Sequence, residues 1–260
     1  MTSSRAGILK AKRIVVKVGS SSVSGPNVGQ IGMLVDALAS AYARGSEVIL
    51  VSSGAIATGI PYLKLDSRPT DLATQQAAAA VGQNVLINRY QVSLDRYAIV
   101  AGQILLTAGD MENPTHRSNA QRAMERLLGL RILPIVNEND TVATQEIRFG
   151  DNDRLAAMVS VLVHADVLVL LSDIDALYTR PPEESGARKI ETVPFDDDLS
   201  GVTFGDIGAA GVGTGGAGTK VAAAKLAAAA GIPTLLAATG SVSEALNGSD
   251  LGTWFEAASL

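Results

Sequence analysis

Residues 137–153, NENDTVATQEIRFGDND, combine five acids, four carboxamides and one arginine, with Phe149 as their sole aromatic. An apolar run, Ile132-Leu133-Pro134-Ile135-Val136, comes just before, and Leu155, Met158 and Leu162 follow at the i, i+3, i+7 spacing of a helix face. The pattern predicts a buried strand over 131–136 that delivers Asn137-Glu138-Asn139-Asp140 at its C-terminal end. It also predicts a helix opened by Gly150-Asp151-Asn152-Asp153. Asn, Asp and Gly are turn formers and caps, so either cluster alone would be ordinary loop chemistry. In open α/β sheets ligands bind in the crevice outside the carboxyl ends of the strands. Two polar clusters meeting there predict a site for a small, multiply charged molecule.

Outward from this stretch, strand and helix patterns alternate. Residues 13–18, RIVVKV, read as a buried strand with Lys17 at the lip of a small turn, Gly19-Ser20-Ser21-Ser22. A helix follows over 27–44, with Ile31, Leu34, Val35 and Leu38 on one face and Gly45 just past its end. The strand 47–51 runs into Ser52-Ser53-Gly54-Ala55, a turn suited to offering backbone N–H groups to an anion. A long helix over 71–93 is opened by Asp71; Gly82 marks close packing and the alanines of 77–80 a packing face. A strand over 98–106 and a helix over 115–128 lead back to the opening stretch, where the alternation of 143–149 suggests a small hairpin arm. Beyond it, a strand over 166–171 ends in Ser172-Asp173, and 179–217 read as outer loops and short hairpins with a solvated acidic run at 196–198. A helix over 219–230, a strand over 234–237, a short helix over 242–246 and an edge strand at 252–255 complete the chain. This order predicts a single α/β domain over 1–260, with a mainly parallel open sheet and helices on both faces.

Composition narrows the function. The chain has no cysteine, which excludes disulfides and thiolate metal sites and fits a reducing cytoplasm. Net charge is −5 without a basic run, so nucleic acid is not an expected partner. The N-terminus MTSSRAGILKAKR lacks a signal-peptide apolar core, and no apolar run approaches the ~18 residues of a membrane span, so a cytoplasmic protein is expected. No spacing of His, Cys, Asp or Glu suggests a zinc site, and His116 and His164 lie outside every cluster.

Residues 211–220, GVGTGGAGTK, fail the P-loop pattern, because Thr219 stands where the lysine is required and Lys220 follows. Glycines that let a backbone approach phosphate oxygens, feeding a helix N-terminus, still suit an anion, with Lys220 as a point charge. Lys17 and Lys220 together with Asp140, Asp151, Asp153 and Asp173 therefore suggest phosphoryl transfer, in which the lysines sit on phosphate oxygens and one aspartate holds their ammonium groups. No general base stands out. A carboxylate acceptor would need none, since its pKa near 4.3 leaves it ionised at neutral pH.

Seven segments resemble the amino acid kinase family, and its glutamate 5-kinases in particular. They are VVKVGSSSV (15–23), VSSGAIATG (51–59), AAVGQ (79–83), PIVNENDTVAT (134–144), FGDNDRLAA (149–157), LLSDIDALY (170–178) and GTGGAGTK (213–220). They cover nearly the whole chain in family order, and NEND followed by GDND is the glutamate-specific signature. The resemblance implies a three-layer αβα sandwich and the reaction of ATP with L-glutamate to give L-glutamyl 5-phosphate and ADP, with Mg²⁺. That is the first step of proline synthesis. It implies that Lys17 and Lys220 stabilise the phosphoryl group in flight and that Asp153 orients them. Ser53, Asp140 and Asn152 would hold glutamate with Asn137 nearby, Asp140 suiting the substrate ammonium. Lys17, Ser172, Asp173 and the loop Thr214, Gly215, Gly216, Ala217, Gly218, Thr219, Lys220 would line the nucleotide pocket. Proline as feedback inhibitor, homo-oligomers and coupling to glutamyl phosphate reductase are further expectations of the resemblance.

The chain departs from the family pattern at Ala217-Gly218, where a methionine usually precedes a variable residue, and at Ser172-Asp173, usually Thr-Asp. Many relatives also carry a C-terminal PUA domain, and none is expected here. Two alternatives share the features above: another acceptor in the same fold, such as acetylglutamate or uridylate, and a non-catalytic amino-acid or nucleotide sensor. Uridylate would want an arginine cluster near 137–153, where Arg148 stands alone, and a sensor could dispense with Lys17, Lys220 or Asp153, all of which are present.

Overall fold

A computed structural model of the chain describes residues 4–143, 152–204 and 216–258. A 3₁₀ turn over Arg5–Lys10 leads into β1, Arg13–Val18, followed by a short helix α1, Ser20–Val23. The predicted helix over 27–44 begins as a 3₁₀ turn, Gly25–Gly29, and becomes α-helical as α2, Gln30–Ala43; Gly45 follows with φ +95°, as its role past the helix end requires. Next come β2, Glu47–Ser52, α3, Ala55–Gly59, and the long α4, Leu72–Asp95, whose cap Asp71 accepts from the Thr74 amide.

The strand expected from 98 starts only at β3, Ala101–Leu106. The reason is the end of α4: Ala98 takes φ +52°, and the Ala98 and Ile99 amides donate back to Asp95 and Leu94 carbonyls, which uses those residues to close the helix. After β3, a short helix α5, Ala108–Glu112, forms behind a Thr107–Asp110 capping box that the sequence reading passed over. Then follow α6, Pro114–Gly129, and β4, Leu133–Glu138. Asn137 and Glu138 are thus the last residues of the strand and not a loop after it.

Beyond β4 are α7, Asn152–Leu162, β5, Val167–Ser172, and the outer pieces β6, Leu177–Tyr178, β7, Lys189–Ile190, and β8, Thr192–Val193. The chain continues with α8, Ala217–Ala229, β9, Thr234–Ala238, α9, Val242–Leu246, and β10, Thr253–Phe255. The expected hairpin arm at 143–149 lies outside the described residues, apart from Ala143.

The main sheet has the order β3-β4-β2-β1-β5-β9-β10-β8. From β3 to β9 every neighbouring pair is parallel. Residues 252–255 were expected at the edge, but β10 runs antiparallel to β9 and is covered in turn by β8, with Trp254 opposite Thr192. Two-residue strands carry no readable alternation, so the cover could not be foreseen.

Alternate residues of each strand enter two separate cores. Ile14, Val16, Val18, Val48, Leu50, Ile135, Val169 and Leu171 pack under α2, α4 and α9. Val15, Ile49, Val51, Val136, Leu168 and Leu170 pack under α6, α7 and α8. This is a three-layer αβα arrangement. Burying each such side chain contributes about 1.5–3 kcal/mol, so a charge in one of these rows is costly unless it is partnered. Lys17 is such a charge: it follows Val15 in the row beneath α7 and α8 and is only 4% exposed.

The carboxyl ends of the strands finish level. Val18 stands opposite Ser52 and Leu171, Val51 opposite Val136, and Leu105 opposite Asn137. On the α4 side, two glycines let α3 and α4 touch backbone to backbone. A Cβ on Gly82 would lie 1.8 Å from the Ala55 carbonyl oxygen, and one on Gly59 would lie 1.9 Å from that of Ala78. Ala78 and Ala79 are buried in this contact, whereas Ala77 and Ala80, the other half of the expected packing face, are exposed.

Candidate active site

Three charged residues from distant parts of the chain meet above β1. Asp153 lies in the first turn of α7 and is fully buried. Its Oδ1 is 2.5 Å from the Lys17 ammonium and its Oδ2 is 3.1 Å from that of Lys220, in the first turn of α8. Thr219 adds its hydroxyl, whose single hydrogen is shared between Oδ2 at 3.2 Å and the Gly216 carbonyl at 2.9 Å. Burial alone would push the Asp153 carboxyl up; the ammonium groups of Lys17 and Lys220 outweigh that and hold it below the ordinary carboxylate value. The N-terminal end of α7 also favours the anion. The triple carries one net positive charge, and the Gly19 turn borders it: a Cβ on Gly19 would stand 3.8 Å from the Lys17 Nζ.

Beside the triple lies a buried cluster of amides at the ends of β2 and β4. Asn152 Nδ2 donates its two hydrogens to the Ser52 carbonyl and to Asn137 Oδ1, each at 2.7 Å, and lies 3.0 Å from Ser53 Oγ. Asn137 Oδ1 also accepts from the Glu138 amide at 2.9 Å, and Asn137 Nδ2 donates to Gln83 Oε1 on α4 at 2.6 Å. The Ser52 hydroxyl pairs with the Tyr90 hydroxyl at 2.9 Å, and burial raises the Tyr90 pKa well above its usual value, so the phenol stays neutral. Asp140 follows at the half-exposed rim, two residues past the end of β4.

Ser172 ends β5 and is buried, whereas Asp173 is exposed and accepts from the Ser172 hydroxyl at 3.0 Å. They stand on the other side of β1 from the amide cluster, because β5 and β2 flank β1 on opposite edges. Of the expected nucleotide loop, Gly216 caps α8 and Ala217 to Lys220 already form its first turn, so these four are helical and not loop. Thr214 and Gly215, like Asp151, lie outside the described residues.

Residues 12–238 match the sequence profile of the Amino acid kinase family. The chain belongs to that family. A protein from Clavibacter sepedonicus named glutamate 5-kinase is 72% identical over 254 residues, spanning 98% of each chain. One of the same name from Streptomyces coelicolor is 52% identical over 261 residues, which cover 99% of this chain and 70% of that longer protein. Within the family the chain therefore sits among the glutamate 5-kinases. A solved structure, carbamate kinase from Giardia lamblia bound to AMP-PNP, superposes with a TM-score of 0.69 at 14% identity, covering 96% of this chain and 100% of that one; this likeness concerns the fold alone.

In this amino acid kinase the structure therefore joins Lys17, Asp153 and Lys220 in one contact and Ser53, Asn137 and Asn152 in a second. Sequence reasoning passed over the Gln83 amide, the Tyr90 hydroxyl against Ser52 and the contact of Thr219 with Asp153. Gln83 gave only the faintest signal, a carboxamide beside a glycine in a helix otherwise rich in alanine. The two histidines take no part in either cluster: His116 pairs with Asp110, and His164 lies just past the far end of α7. A separate cavity of about 470 Å³ opens toward that far end, lined by Met111, Arg117, Met158, Leu162 and Leu226.

Proposed function

We propose that this protein transfers the γ-phosphoryl group of ATP to the side-chain carboxylate of L-glutamate, giving L-glutamyl 5-phosphate and ADP, the step that opens proline synthesis. One observation carries the reading: a buried Lys17–Asp153–Lys220 triple at the carboxyl edge of the sheet, next to a polar amide cluster, in a chain 72% identical to a glutamate 5-kinase along nearly its whole length.

The chemistry follows from charge. The acceptor is already an anion at neutral pH, so no proton has to be removed before it attacks. The obstacle is repulsion between that anion and the triphosphate. Lys17 and Lys220 offset it by placing two ammonium groups where charge spreads over the transferring phosphoryl oxygens. Asp153 holds both ammonium groups in one geometry before substrate arrives, which removes the cost of organising them during the reaction. Asn152, Asn137 and Ser53 would hold glutamate, and Asp140 at the rim would pair with its ammonium. Ser172 and Asp173, across β1 from the amides, would face the nucleotide together with the start of α8 from Gly216 to Lys220.

Mg²⁺ would arrive on the phosphates as part of the nucleotide substrate. Its preference for phosphate oxygens and water over all-protein cages suits that route. No helix among the described residues is long and apolar enough to cross a membrane, and a cytoplasmic setting fits the substrates. Inhibition by proline, self-association and hand-over of the acyl phosphate to glutamyl phosphate reductase rest on the family resemblance.

The test is ADP release with L-glutamate, N-acetylglutamate or uridylate as acceptor, with hydroxylamine added to trap an acyl phosphate as its hydroxamate. Turnover and hydroxamate with L-glutamate alone are expected. Turnover only with another acceptor would replace this reading, and no turnover with any of them would favour a sensor.

A further inference from the structure

We propose that Gln83 is a positioning residue for the amino-acid acceptor: acting through Asn137, it holds the Asn152 amide and the Ser53 hydroxyl in place beside the crevice. The inference rests on the glutamate-kinase reading above.

A planar amide has a donor at one end and an acceptor at the other, so its orientation decides what it can recognise. Here two backbone groups settle the orientation of the cluster. The Glu138 N–H can only donate, so the group 2.9 Å from it must be the Asn137 oxygen. That turns Asn137 Nδ2 toward α4, where Gln83 Oε1 accepts at 2.6 Å. The Ser52 carbonyl can only accept, so the Asn152 group 2.7 Å from it must be the amine. The same amine reaches Asn137 Oδ1 at 2.7 Å and Ser53 Oγ at 3.0 Å.

Two consequences follow for a ligand. Asn152 keeps its carbonyl oxygen at the end away from Ser52, as an acceptor. Ser53 faces the Asn152 amine, which cannot accept, so its hydroxyl hydrogen points elsewhere as a donor. An acceptor suits an ammonium and a hydroxyl donor suits a carboxylate, so the pair is set for a zwitterionic amino acid.

Gln83 is the far anchor of this chain of amides. It is 9% exposed, and its neighbour Gly82 is pressed against the Ala55 carbonyl, so its backbone has little freedom to shift. Without its oxygen, the buried Asn137 amine loses its acceptor. Asn137 is then held at its oxygen end alone, by the Glu138 N–H, which loosens its hold on Asn152 and, through it, on Ser53. Gln83 touches neither the phosphoryl group nor its two lysines, so the effect falls on acceptor binding and not on the chemical step.

Steady-state kinetics of Gln83→Met and Gln83→Glu test this. Both keep the side-chain length, but only Glu keeps an oxygen acceptor. Met is expected to raise the glutamate KM about tenfold, the weight of one hydrogen bond, with kcat and the ATP KM within about threefold of wild type. Glu is expected to stay within about threefold in all three constants. Gln83→Asn withdraws the oxygen by one methylene and carries the same expectation at smaller size, should the Met variant not fold. A wild-type glutamate KM in the Met and Asn variants overturns the proposal. So does a Glu variant as impaired as Met, or a joint fall of kcat and Tm with both KM values raised. Wild-type turnover is measured first: if glutamate is not phosphorylated, the functional reading fails and takes this inference with it, whereas normal wild-type turnover leaves Gln83 alone at stake.

Discussion

Replacing Asp153 by Asn removes one negative charge and almost no volume. The triple then holds two positive charges where it held a net one. At an effective dielectric near 20, ion pairs at 2.5 and 3.1 Å are each worth about 5–7 kcal/mol before desolvation is subtracted. Desolvation cancels much of that in the wild type, but the variant keeps the buried ammonium groups and loses their counterion. Breaking a buried pair in this way costs about 3–5 kcal/mol. At about 2–4 °C per kcal/mol, Tm should fall by about 6–20 °C. The nucleotide brings negative charge to the same place, so saturating ATP should stabilise the variant more than the wild type in thermal unfolding. Turnover should fall by about 10²–10³, the cost of losing one preorganised electrostatic element. Acid offers the same perturbation without mutation. The Asp153 carboxyl is held below its ordinary value, so its contribution is complete above a pH of about 3.9 and is lost as pH falls through the lower folded value. The stabilities of wild type and variant should therefore converge only below about pH 4. A variant that melts within 2 °C of wild type, or that ATP stabilises no more than wild type, would refute the reasoning.

Other substitutions separate the roles around the crevice. Lys220→Ala should lower kcat by about 10²–10³ while the glutamate KM, read from initial rates of ADP release, stays near wild type. Asp140→Ala should raise the glutamate KM with kcat little changed; unchanged glutamate saturation would move the ammonium elsewhere. Gly82→Ala would put a methyl 1.8 Å from the Ala55 carbonyl oxygen and 2.6 Å from the Gly59 amide, so α3 and α4 must part. A loss of about 1–3 kcal/mol or more in denaturant unfolding is expected, with a weaker grip on glutamate because the Ser53 turn rides on α3.

Much of this was readable before any coordinates. The apolar runs of 13–18, 47–51 and 166–171 became β1, β2 and β5 because strands buried on both faces have no polar side to mask the pattern. Asp71, Gly45 and Gly82 declared a cap, a helix end and a close approach through local chemistry alone. The start of β3, the helix α5 and the cover on β10 were not readable, since each depends on a turn or pairing only a few residues long.

The sequence by itself determined the alternation of strands and helices, and hence a parallel sheet whose carboxyl edge gathers Lys17, Asn137 and Asp153 from separate units. Those assignments rest on periodicity and turn chemistry within a few residues of each position. Only the tertiary structure decided that one carboxylate meets both lysines, that Ser172 falls across β1 from the amides, and that Asn137 meets Gln83. Such contacts join residues 54 to 136 positions apart, and no local pattern encodes a separation of that length. They exist because the packing of α4, α7 and α8 on the sheet brings the side chains within hydrogen-bond reach.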